Sequence, residues 1–378
     1  MKRVVFLTGT RADFGKLKSL IRITQASSAF DVHVFATGMH MNAKFGKTIN
    51  EIHKSGFDNI YGFINHDDVG RMDRALAKTV DGFSHYLAEI CPDLVVVHGD
   101  RAEALAGAIV GSLNNILVAH VEGGEISGTI DELIRHSISK LAHIHLVSND
   151  EAARRLIQMG ERPGSIHVIG SPDLDVMFSS DLPSLDSVKA YYEIPFDDFA
   201  LGILHPVTTE LDATVECAKA YVDALTESGH RFVLIHPNND PGSDAILREY
   251  ERLRLHERFR LFPSVRFEAF IVLLRAARLI VGNSSAGIRE APEFGIPTVD
   301  IGTRQLNRAR LPTIINCPPR REAILAAMET AKLLGRDTRA ASARRHFGSG
   351  KSDQAFLALL STEAFWQTPV QKQFQSVA

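Results

Sequence analysis

Short runs of branched apolar residues recur along the first half of the chain, each bounded by polar residues or glycine. Leu94–Val97 and Ile116–Ala119 are two such runs. They are too short and too rich in β-branched residues for helices, so they predict buried parallel strands. Segments with helical spacing alternate with the runs, which gives six or seven strands within about 170 residues. This alternation predicts a doubly wound parallel sheet with right-handed crossovers.

The alternating pattern stops near the middle of the chain and then restarts. Residues 171–198 contain Pro, Ser and Asp with little periodicity, which predicts a linker. Apolar runs resume at Ala200–Leu204 and continue to Thr298–Ile301. We therefore predict one Rossmann-like domain over residues 1–170 and a second over residues 199–345. Residues 346–378 are predicted to form a C-terminal helix and tail.

Composition narrows the class of protein. The 378 residues are 45% hydrophobic and 23% charged, with a formal net charge of −3. This length favours two domains, and the charge gives no support to a nucleic-acid-binding surface. Cys91, Cys217 and Cys317 lack the spacing of a zinc site or a disulfide framework, which fits a reducing cytoplasm. We expect a cytoplasmic protein without a signal peptide or membrane span, because the first apolar run is short.

Acidic residues follow two consecutive predicted strands, at the points where those strands end. The first strand leads into Asp100, and the second leads into Glu122 and Glu125, with Asp131 shortly after. Ligands of open α/β sheets bind at the carboxyl ends of the strands. Several carboxylates delivered to one edge are difficult to explain as packing. The sequence therefore predicts an active site at this edge.

Two loops have features of phosphate-binding sites. The loop after the first strand leads into a helix that Asp13 is predicted to cap, and Arg11 and Lys16 add positive charge. Gly282–Glu290 likewise follows a strand and opens a predicted helix, Ala286–Phe294, whose N-terminal dipole favours an anion. An ordinary turn with surface cations explains the first loop equally well when it is taken alone. The two loops together favour a diphosphate clamp.

Longer strings of residues resemble a known family. They are TGTRADFGKL, HGDRAEALA, HVEGGEISGTIDELIRHSISKLAH, HPVTTE, GNSSAGIREAPEFG and GTRQLNR, in that order within residues 1–345. The chain resembles the hydrolysing UDP-N-acetylglucosamine 2-epimerases of sialic acid biosynthesis, both the bacterial enzymes and the epimerase half of the animal bifunctional enzyme. The resemblance implies an α/β, GT-B-like fold of two Rossmann-like doubly wound domains facing a cleft. It also implies conversion of UDP-N-acetylglucosamine and water to N-acetylmannosamine and UDP.

The same resemblance assigns roles to individual residues. The catalytic set that it implies is Asp100, Glu122, Asp131 and His205. The substrate-binding set is Arg11, Gly15, Lys16, Arg101, Asn238, Val265, Phe267, Ser284, Ser285, Glu290 and Arg304. Within it, Lys16 is chosen for its charge and Phe267 as a stacking platform for uracil, with core packing as the alternative for Phe267. The sequence leaves open which acid removes the proton from C2 of the sugar.

Other reactions and other classes of protein stay open at this point. The closest alternative keeps the reaction and changes the sugar to UDP-2,4-diacetamido-2,4,6-trideoxyglucose of the legionaminic acid pathway. A non-hydrolysing epimerase is disfavoured, because its corresponding stretch reads closer to HVEAGLR than to HVEGGE. A GT-B glycosyltransferase or a non-catalytic nucleotide-sugar sensor gives the acids no role. We expect no cofactor, no metal and no nucleic-acid or membrane partner, and the resemblance implies a homodimer or homotetramer.

Overall fold

The protein consists of two compact α/β units. The computed structural model describes residues 1–66, 71–127, 129–238, 240–306, 311–334 and 346–376. The first unit contains Met1–Glu125, Asp131–Ser179 and the residues from His346 onward. The second contains Ile126–Ile130 and the described residues within 180–345. Residues 335–345, at the predicted end of the second domain, lie outside the described residues.

A seven-stranded parallel sheet forms the centre of the first unit. Its strands are β1 Lys2–Thr8, β2 Phe30–Ala36, β3 Ile60–Gly62, β4 Leu94–His98, β5 Leu117–Val121, β6 Ile144–Val147 and β7 Ile166–Val168. Its helices are α1 Arg11–Gln25, α2 Ile49–Lys54, α3 Met72–Ile90, α4 Ala102–Leu113, α5 Ile130–Leu141, α6 Asp150–Gln158 and α7 Pro172–Met177. The strand order is β3-β2-β1-β4-β5-β6-β7, so the topological switch point lies between β1 and β4.

The second unit repeats this plan with six parallel strands. They are β8 Ala200–Ile203, β9 Phe232–Ile235, β10 Phe259–Phe262, β11 Ile280–Gly282, β12 Thr298–Ile301 and β13 Ile314–Cys317. The helices are α8 Leu185–Tyr191, α9 Thr214–Glu227, α10 Ser243–Tyr250, α11 Phe267–Ala276, α12 Glu290–Glu293 and α13 Arg321–Leu334. The order is β10-β9-β8-β11-β12-β13, which places the switch point between β8 and β11.

Buried central strands position the residues that follow them. All five residues of β4 and all five of β5 are buried, as expected for parallel strands covered on both faces. Their register pairs His98 with Val121, so the two strands end level with each other. No helix in the described part of the chain combines the length and the apolar character of a membrane span.

A glycine allows the two central strands of the second unit to come together. Gly282 has a φ of +140°, and a Cβ atom there would lie 1.9 Å from the carbonyl oxygen of Ile203. Only glycine is compatible with this approach of β11 to β8. The loop that begins at Asn283 is therefore fixed directly beside the end of β8.

The C-terminal segment packs as part of the first unit. It forms α14 Ser352–Leu360 and α15 Glu363–Trp366. Phe356, Leu360 and Phe365 join the core of the first unit. Trp366 stacks on Phe30, with the ring centroids 6.2 Å apart. The predicted C-terminal helix and tail thus complete the first core.

The segment predicted to be a linker contains two helices, α7 in the first unit and α8 in the second. Pro172 lies in the first turn of α7, where proline is compatible with a helix. Ser184 caps α8 and accepts a hydrogen bond from the Ser187 N–H at 3.2 Å. Pro172 and Ser184, two of the residues that give this segment the composition of a linker, therefore stand at the starts of helices.

Three further elements differ from the predictions. The helix predicted over Ala286–Phe294 is a 3-10 turn, Ser285–Gly287, followed by the four-residue α12. Pro292 has no N–H to donate to the carbonyl of Ile288, and this prevents one continuous helix. The pattern does not predict β3 and β13, because both are edge strands with mostly exposed or half-buried residues and no buried apolar run.

Candidate active site

The loop between β1 and α1 is closed by its own carboxylate. Thr10, rather than Asp13, is the N-cap of α1, and Asp13 completes a capping box with it. In that box the Asp13 carboxylate accepts the N–H of Thr10 at 2.8 Å, and it also accepts the N–H of Gly9 at 2.9 Å. An internal anion therefore occupies these donors. Thr10 therefore replaces Asp13 as the cap of α1, and phosphate binding at this loop stays a prediction.

Glu122 is the centre of a buried polar cluster that follows β5. Its φ of +62° is unusual for a residue with a side chain, and such strain is found mainly at functional sites. One carboxylate oxygen lies 3.0 Å from His98 Nε2 and 3.4 Å from Lys16 Nζ. The other oxygen accepts a hydrogen bond from the Ser171 hydroxyl. Lys16 also pairs with Asp173 at 3.2 Å, so its ammonium lies between two carboxylates.

Asp100 follows the neighbouring strand and is held by a buried arginine. Arg135 of α5 is 1% exposed and donates hydrogen bonds to Asp100 and, at 3.2 Å, to the carbonyl of Glu125. The Asp100 side chain is 23% exposed, so it is accessible while the guanidinium is not. Asp131 lies on α5 four residues before Arg135, on the same helical face. The three acids predicted to be catalytic thus lie on the segments that follow β4 and β5.

The predicted substrate-binding residues of the first unit lie at the starts of α1 and α4. Arg11 is the first residue of α1 and pairs with Glu51 at 2.5 Å. Gly15 and Lys16 are buried in the same helix. Arg101 is the N-cap residue of α4, directly after Asp100. Lys16 therefore contacts a predicted catalytic acid, whereas Arg11 contacts Glu51.

His205 lies just beyond β8, at the switch point of the second unit. The side chain of Asn283 accepts the His205 N–H at 2.7 Å and donates to the His205 carbonyl at 2.9 Å. His205 Nδ1 accepts the N–H of Asn238 at 3.0 Å. Because a backbone N–H only donates, this bond requires an unprotonated Nδ1 and assigns the proton of the neutral ring to Nε2. His205 is therefore arranged to donate a hydrogen bond through Nε2.

The loop after β11 gathers other predicted residues of the second unit around Asn283. Arg304 donates to the Asn283 carbonyl at 3.2 Å. Ser284 and Ser285 are half-buried, and the Ser284 hydroxyl accepts the Ala286 N–H at 3.3 Å. Because α12 has only four residues and starts at Glu290, the prediction of a helix dipole aimed at a phosphate from this loop is wrong.

Three predicted nucleotide contacts are buried in the second unit. Glu290 is 4% exposed, Val265 is 6% exposed and Phe267 is 8% exposed. Phe267 begins α11, and its ring has little surface left on which a uracil could stack. The structure therefore favours the alternative that Phe267 belongs to the core. Nucleotide binding by Val265 and Glu290 stays a prediction.

Five residues of these clusters are absent from the sequence-based prediction of the site: His98, Ser171, Asp173, Arg135 and Asn283. Ser171 and Asp173 lie in the segment predicted to be a linker, although they follow β7 as Asp100 follows β4. Their position at a strand end is the signal that identifies them. Arg135 has a weaker signal, a charged residue at a buried position of an amphipathic helix.

The histidines on and beside β6 have structural partners. His143 Nδ1 accepts the Val118 N–H at 3.0 Å, and its Nε2 lies 3.0 Å from the Val370 carbonyl. His145 Nε2 lies 3.0 Å from Glu161. Across the residues that the structure describes, no group of three or more His, Cys, Asp or Glu side chains is placed to hold a metal ion.

Buried histidines predict a loss of stability in mild acid. Burial lowers the pKa of His40 to about 4 and that of His120 to about 3. Below the ordinary histidine pKa of about 6.5 the unfolded chain binds protons that the folded chain does not, so the free energy of unfolding falls as pH falls. We expect each histidine to contribute a loss on the order of 1–2 kcal/mol between pH 7.5 and pH 5, measured by urea unfolding.

His40→Gln should reduce the slope of the unfolding free energy with pH, because close to one fewer proton is then taken up on unfolding. His85 is exposed, and its side chain is 81% accessible, so His85→Gln is the matched control and should keep the wild-type slope. A wild-type slope in His40→Gln would contradict the assignment of His40 as a buried neutral ring.

Comparisons with known proteins agree with the fold and the motifs. The family model for UDP-N-acetylglucosamine 2-epimerase matches residues 22–361. The UDP-N-acetylglucosamine 2-epimerase of Neisseria meningitidis serogroup B is 46% identical over 377 residues, covering 99% of each chain. The UDP-N,N'-diacetylbacillosamine 2-epimerase (hydrolyzing) of Legionella pneumophila is 33% identical, covering 88% of this chain and 89% of the other.

Solved structures support the architecture. The UDP-GlcNAc 2-epimerase of Methanocaldococcus jannaschii, solved in complex with UDP-GlcNAc and UDP, matches with a TM-score of 0.81 at 23% identity. The match covers 96% of this chain and 99% of that one. The fold is therefore GT-B-like, with two Rossmann-like doubly wound units.

Proposed function

Because the chain belongs to the UDP-N-acetylglucosamine 2-epimerase family, we propose that it is a hydrolysing member. It converts UDP-N-acetylglucosamine and water to N-acetylmannosamine and UDP, the first step of sialic acid biosynthesis. The observation that carries this proposal is the cluster around Glu122. Glu122 lies in the stretch HVEGGEISGTID, which resembles the hydrolysing branch. Its carboxylate contacts the imidazole of His98 and the ammonium of Lys16.

The proposed reaction has two stages. In the first, a base removes the proton from C2 while the bond from C1 to the UDP oxygen breaks, giving UDP and a 2-acetamidoglucal. In the second, the oxygen of water adds to C1 and a proton returns to C2 on the opposite face, giving the free manno sugar. The reaction needs proton-transfer groups on two faces of the sugar and donors for the charge that develops on the leaving phosphate.

Asp100 and Glu122 supply the two proton-transfer groups. Their strands end level with each other, and each carboxylate has its own cationic partner, Arg135 for Asp100 and Lys16 for Glu122. Fixed partners hold each carboxylate in one orientation, which proton transfer to carbon requires. Asp131 lies on the helix that carries Arg135, and we assign it to proton handling during hydration.

We assign His205 to the departing diphosphate, as a donor through Nε2. Its Nδ1 is already occupied by the Asn238 N–H at 3.0 Å, so the neutral ring is suited to donate rather than to act as a base. Hydrogen-bond donors aimed at developing negative charge are among the largest single contributions to catalysis.

Two substitutions of His205 distinguish the roles of its two ring nitrogens. The amide nitrogen of glutamine reaches approximately the position of Nε2, whereas asparagine reaches only that of Nδ1. We expect His205→Asn to lower kcat for UDP release by about 10²-fold, as for other lost oxyanion donors. His205→Gln should retain at least tenfold more activity than His205→Asn. Equal rates, or a faster asparagine variant, would contradict a donor role for Nε2.

Incubation of the purified protein with UDP-N-acetylglucosamine and no acceptor tests the proposal. We expect one UDP to be released for each molecule of free N-acetylmannosamine formed. Chromatography of the reaction mixture quantifies both products. UDP-N-acetylmannosamine as the only product would instead indicate a non-hydrolysing epimerase. Dependence on an added acceptor would indicate a glycosyltransferase.

A second sugar has to be compared in the same assay. The Legionella relative, at 33% identity, is a UDP-N,N'-diacetylbacillosamine 2-epimerase by name. The 46% identity to the Neisseria enzyme over the whole chain favours the simpler sugar. We therefore expect kcat/KM to be higher for UDP-N-acetylglucosamine than for UDP-2,4-diacetamido-2,4,6-trideoxyglucose, and the reverse order would change the assigned substrate.

A further inference from the structure

His120 is a buried histidine that the proposed chemistry does not use. It is the fourth residue of β5, is 0% exposed, and pairs with Val97 of β4 and His145 of β6. Central strands of a parallel sheet favour apolar residues, and a polar ring buried there requires hydrogen-bond partners. The partners of His120 indicate what the residue does.

Both ring nitrogens of His120 are engaged. Nε2 lies 2.8 Å from the carbonyl oxygen of Gly99, and Nδ1 lies 3.0 Å from the Ser139 hydroxyl. A carbonyl only accepts, so Nε2 carries a proton. Burial lowers the pKa of His120 to about 3, so the ring stays neutral and Nδ1 accepts the Ser139 proton.

The Gly99 contact fixes the turn that carries Asp100. The Gly99 N–H donates to the Val121 carbonyl of β5 at 3.0 Å, and its own carbonyl accepts from His120 of the same strand. Gly99 has a φ of +71°, a conformation that glycine adopts without strain. The turn is therefore bound to β5 at both the N–H and the carbonyl of the residue before Asp100.

The other turn packs against the same ring. A Cβ atom at Gly123 would lie 2.8 Å from His120 Nδ1 and 2.9 Å from Ser139 Oγ. The turn that begins at Glu122 therefore runs directly over the His120–Ser139 pair. A rotated ring or a different side chain at position 120 would change the surface on which this turn rests.

We propose that His120 is a positioning residue that fixes the turns carrying Asp100 and Glu122 relative to each other. Its two nitrogens are used by Gly99 and Ser139, so it acts through the two turns rather than by transferring a proton to substrate. Ser139 holds the ring in the tautomer that this requires. The inference rests on the roles proposed above for Asp100 and Glu122.

Three variants test the proposal kinetically. Glutamine at position 120 places an amide N–H near the Nε2 position, and asparagine does not reach it. We expect His120→Asn to lower kcat at least tenfold with KM within twofold of wild type, and His120→Gln to recover at least threefold over His120→Asn. Val118→Ala is the matched control, because Val118 is equally buried on the same face of β5. It should lower the melting temperature comparably and leave kcat within twofold.

The kcat of each variant is compared with the wild-type kcat at a temperature where circular dichroism shows that the variant is folded. Equal kcat values for the asparagine and glutamine variants, or an equal loss in Val118→Ala, would reduce His120 to a structural role and overturn the proposal. A wild type without turnover on either UDP-sugar would contradict the proposed function instead.

A second measurement does not depend on activity. In long-range ¹H–¹⁵N spectra, the His120 resonances are identified by their absence in His120→Gln. We expect the pattern of a neutral ring protonated at Nε2 from pH 8 to pH 5. A ring that titrates in this range, or one protonated at Nδ1, would overturn the proposal.

Discussion

Glu122→Gln is expected to lower kcat by about 10³-fold, because it replaces a proton-transfer group with an amide of the same shape. It is also expected to lower the free energy of unfolding. Both oxygens of Glu122 accept hydrogen bonds, from Ser171 on one side and from His98 and Lys16 on the other. An amide has only one acceptor oxygen, so at least one buried donor loses its partner, at a cost of about 1–3 kcal/mol.

Steady-state kinetics and urea unfolding measure both effects. Glu132→Gln is the control, since it makes the same chemical change on α5 at a side chain that is 36% exposed. It should change kcat by no more than about twofold, as surface substitutions seldom matter. Near-normal turnover in Glu122→Gln would remove Glu122 from the chemistry.

Asp100→Asn is expected to remove most of the activity. It is also expected to lower the free energy of unfolding, because the buried cation Arg135 loses its counter-charge. Arg135 is 1% exposed, whereas the Asp100 side chain is 23% exposed. Removing the negative charge leaves the guanidinium buried without that counter-charge, which we expect to cost about 2–3 kcal/mol of stability. The value lies below that of a fully buried pair, because Asp100 is partly exposed and the amide oxygen still accepts.

The double variant Asp100→Asn/Arg135→Met separates the two effects. Methionine removes the buried charge, so we expect the double variant to be more stable than Asp100→Asn while kcat stays about 10³-fold below wild type. Chemical unfolding and UDP-release assays on the single and double variants provide the comparison. A double variant less stable than Asp100→Asn would contradict a charge penalty at Arg135.

The central strands are predictable from this sequence because both of their faces are buried. β4 is buried at every position, and its residues Leu94–Val97 form an uninterrupted apolar run. The edge strands β3 and β13 carry exposed residues and therefore give no such run. The return of α14 to the first unit is also not predictable, since an apolar helical face does not specify which sheet it covers.

The site is predictable to the extent that it lies at strand ends. Glu122 is the first residue after β5 and Asp100 is the second after β4, so their pattern is visible in the sequence. Their partners come from elements distant along the chain, Arg135 from α5 and Ser171 from the segment after β7. The internal pairing of Asp13 with its own loop likewise depends on a three-dimensional turn, so it is not visible in the composition.

The most direct test of hydrolytic epimerisation is proton NMR of UDP-N-acetylglucosamine with the purified protein in D2O, without acceptor or added metal. Removal of the C2 proton and its return from solvent predict free N-acetylmannosamine carrying deuterium at C2, together with UDP. A product that retains protium at C2, or an epimerised sugar still attached to UDP, would contradict the elimination and hydration proposed here.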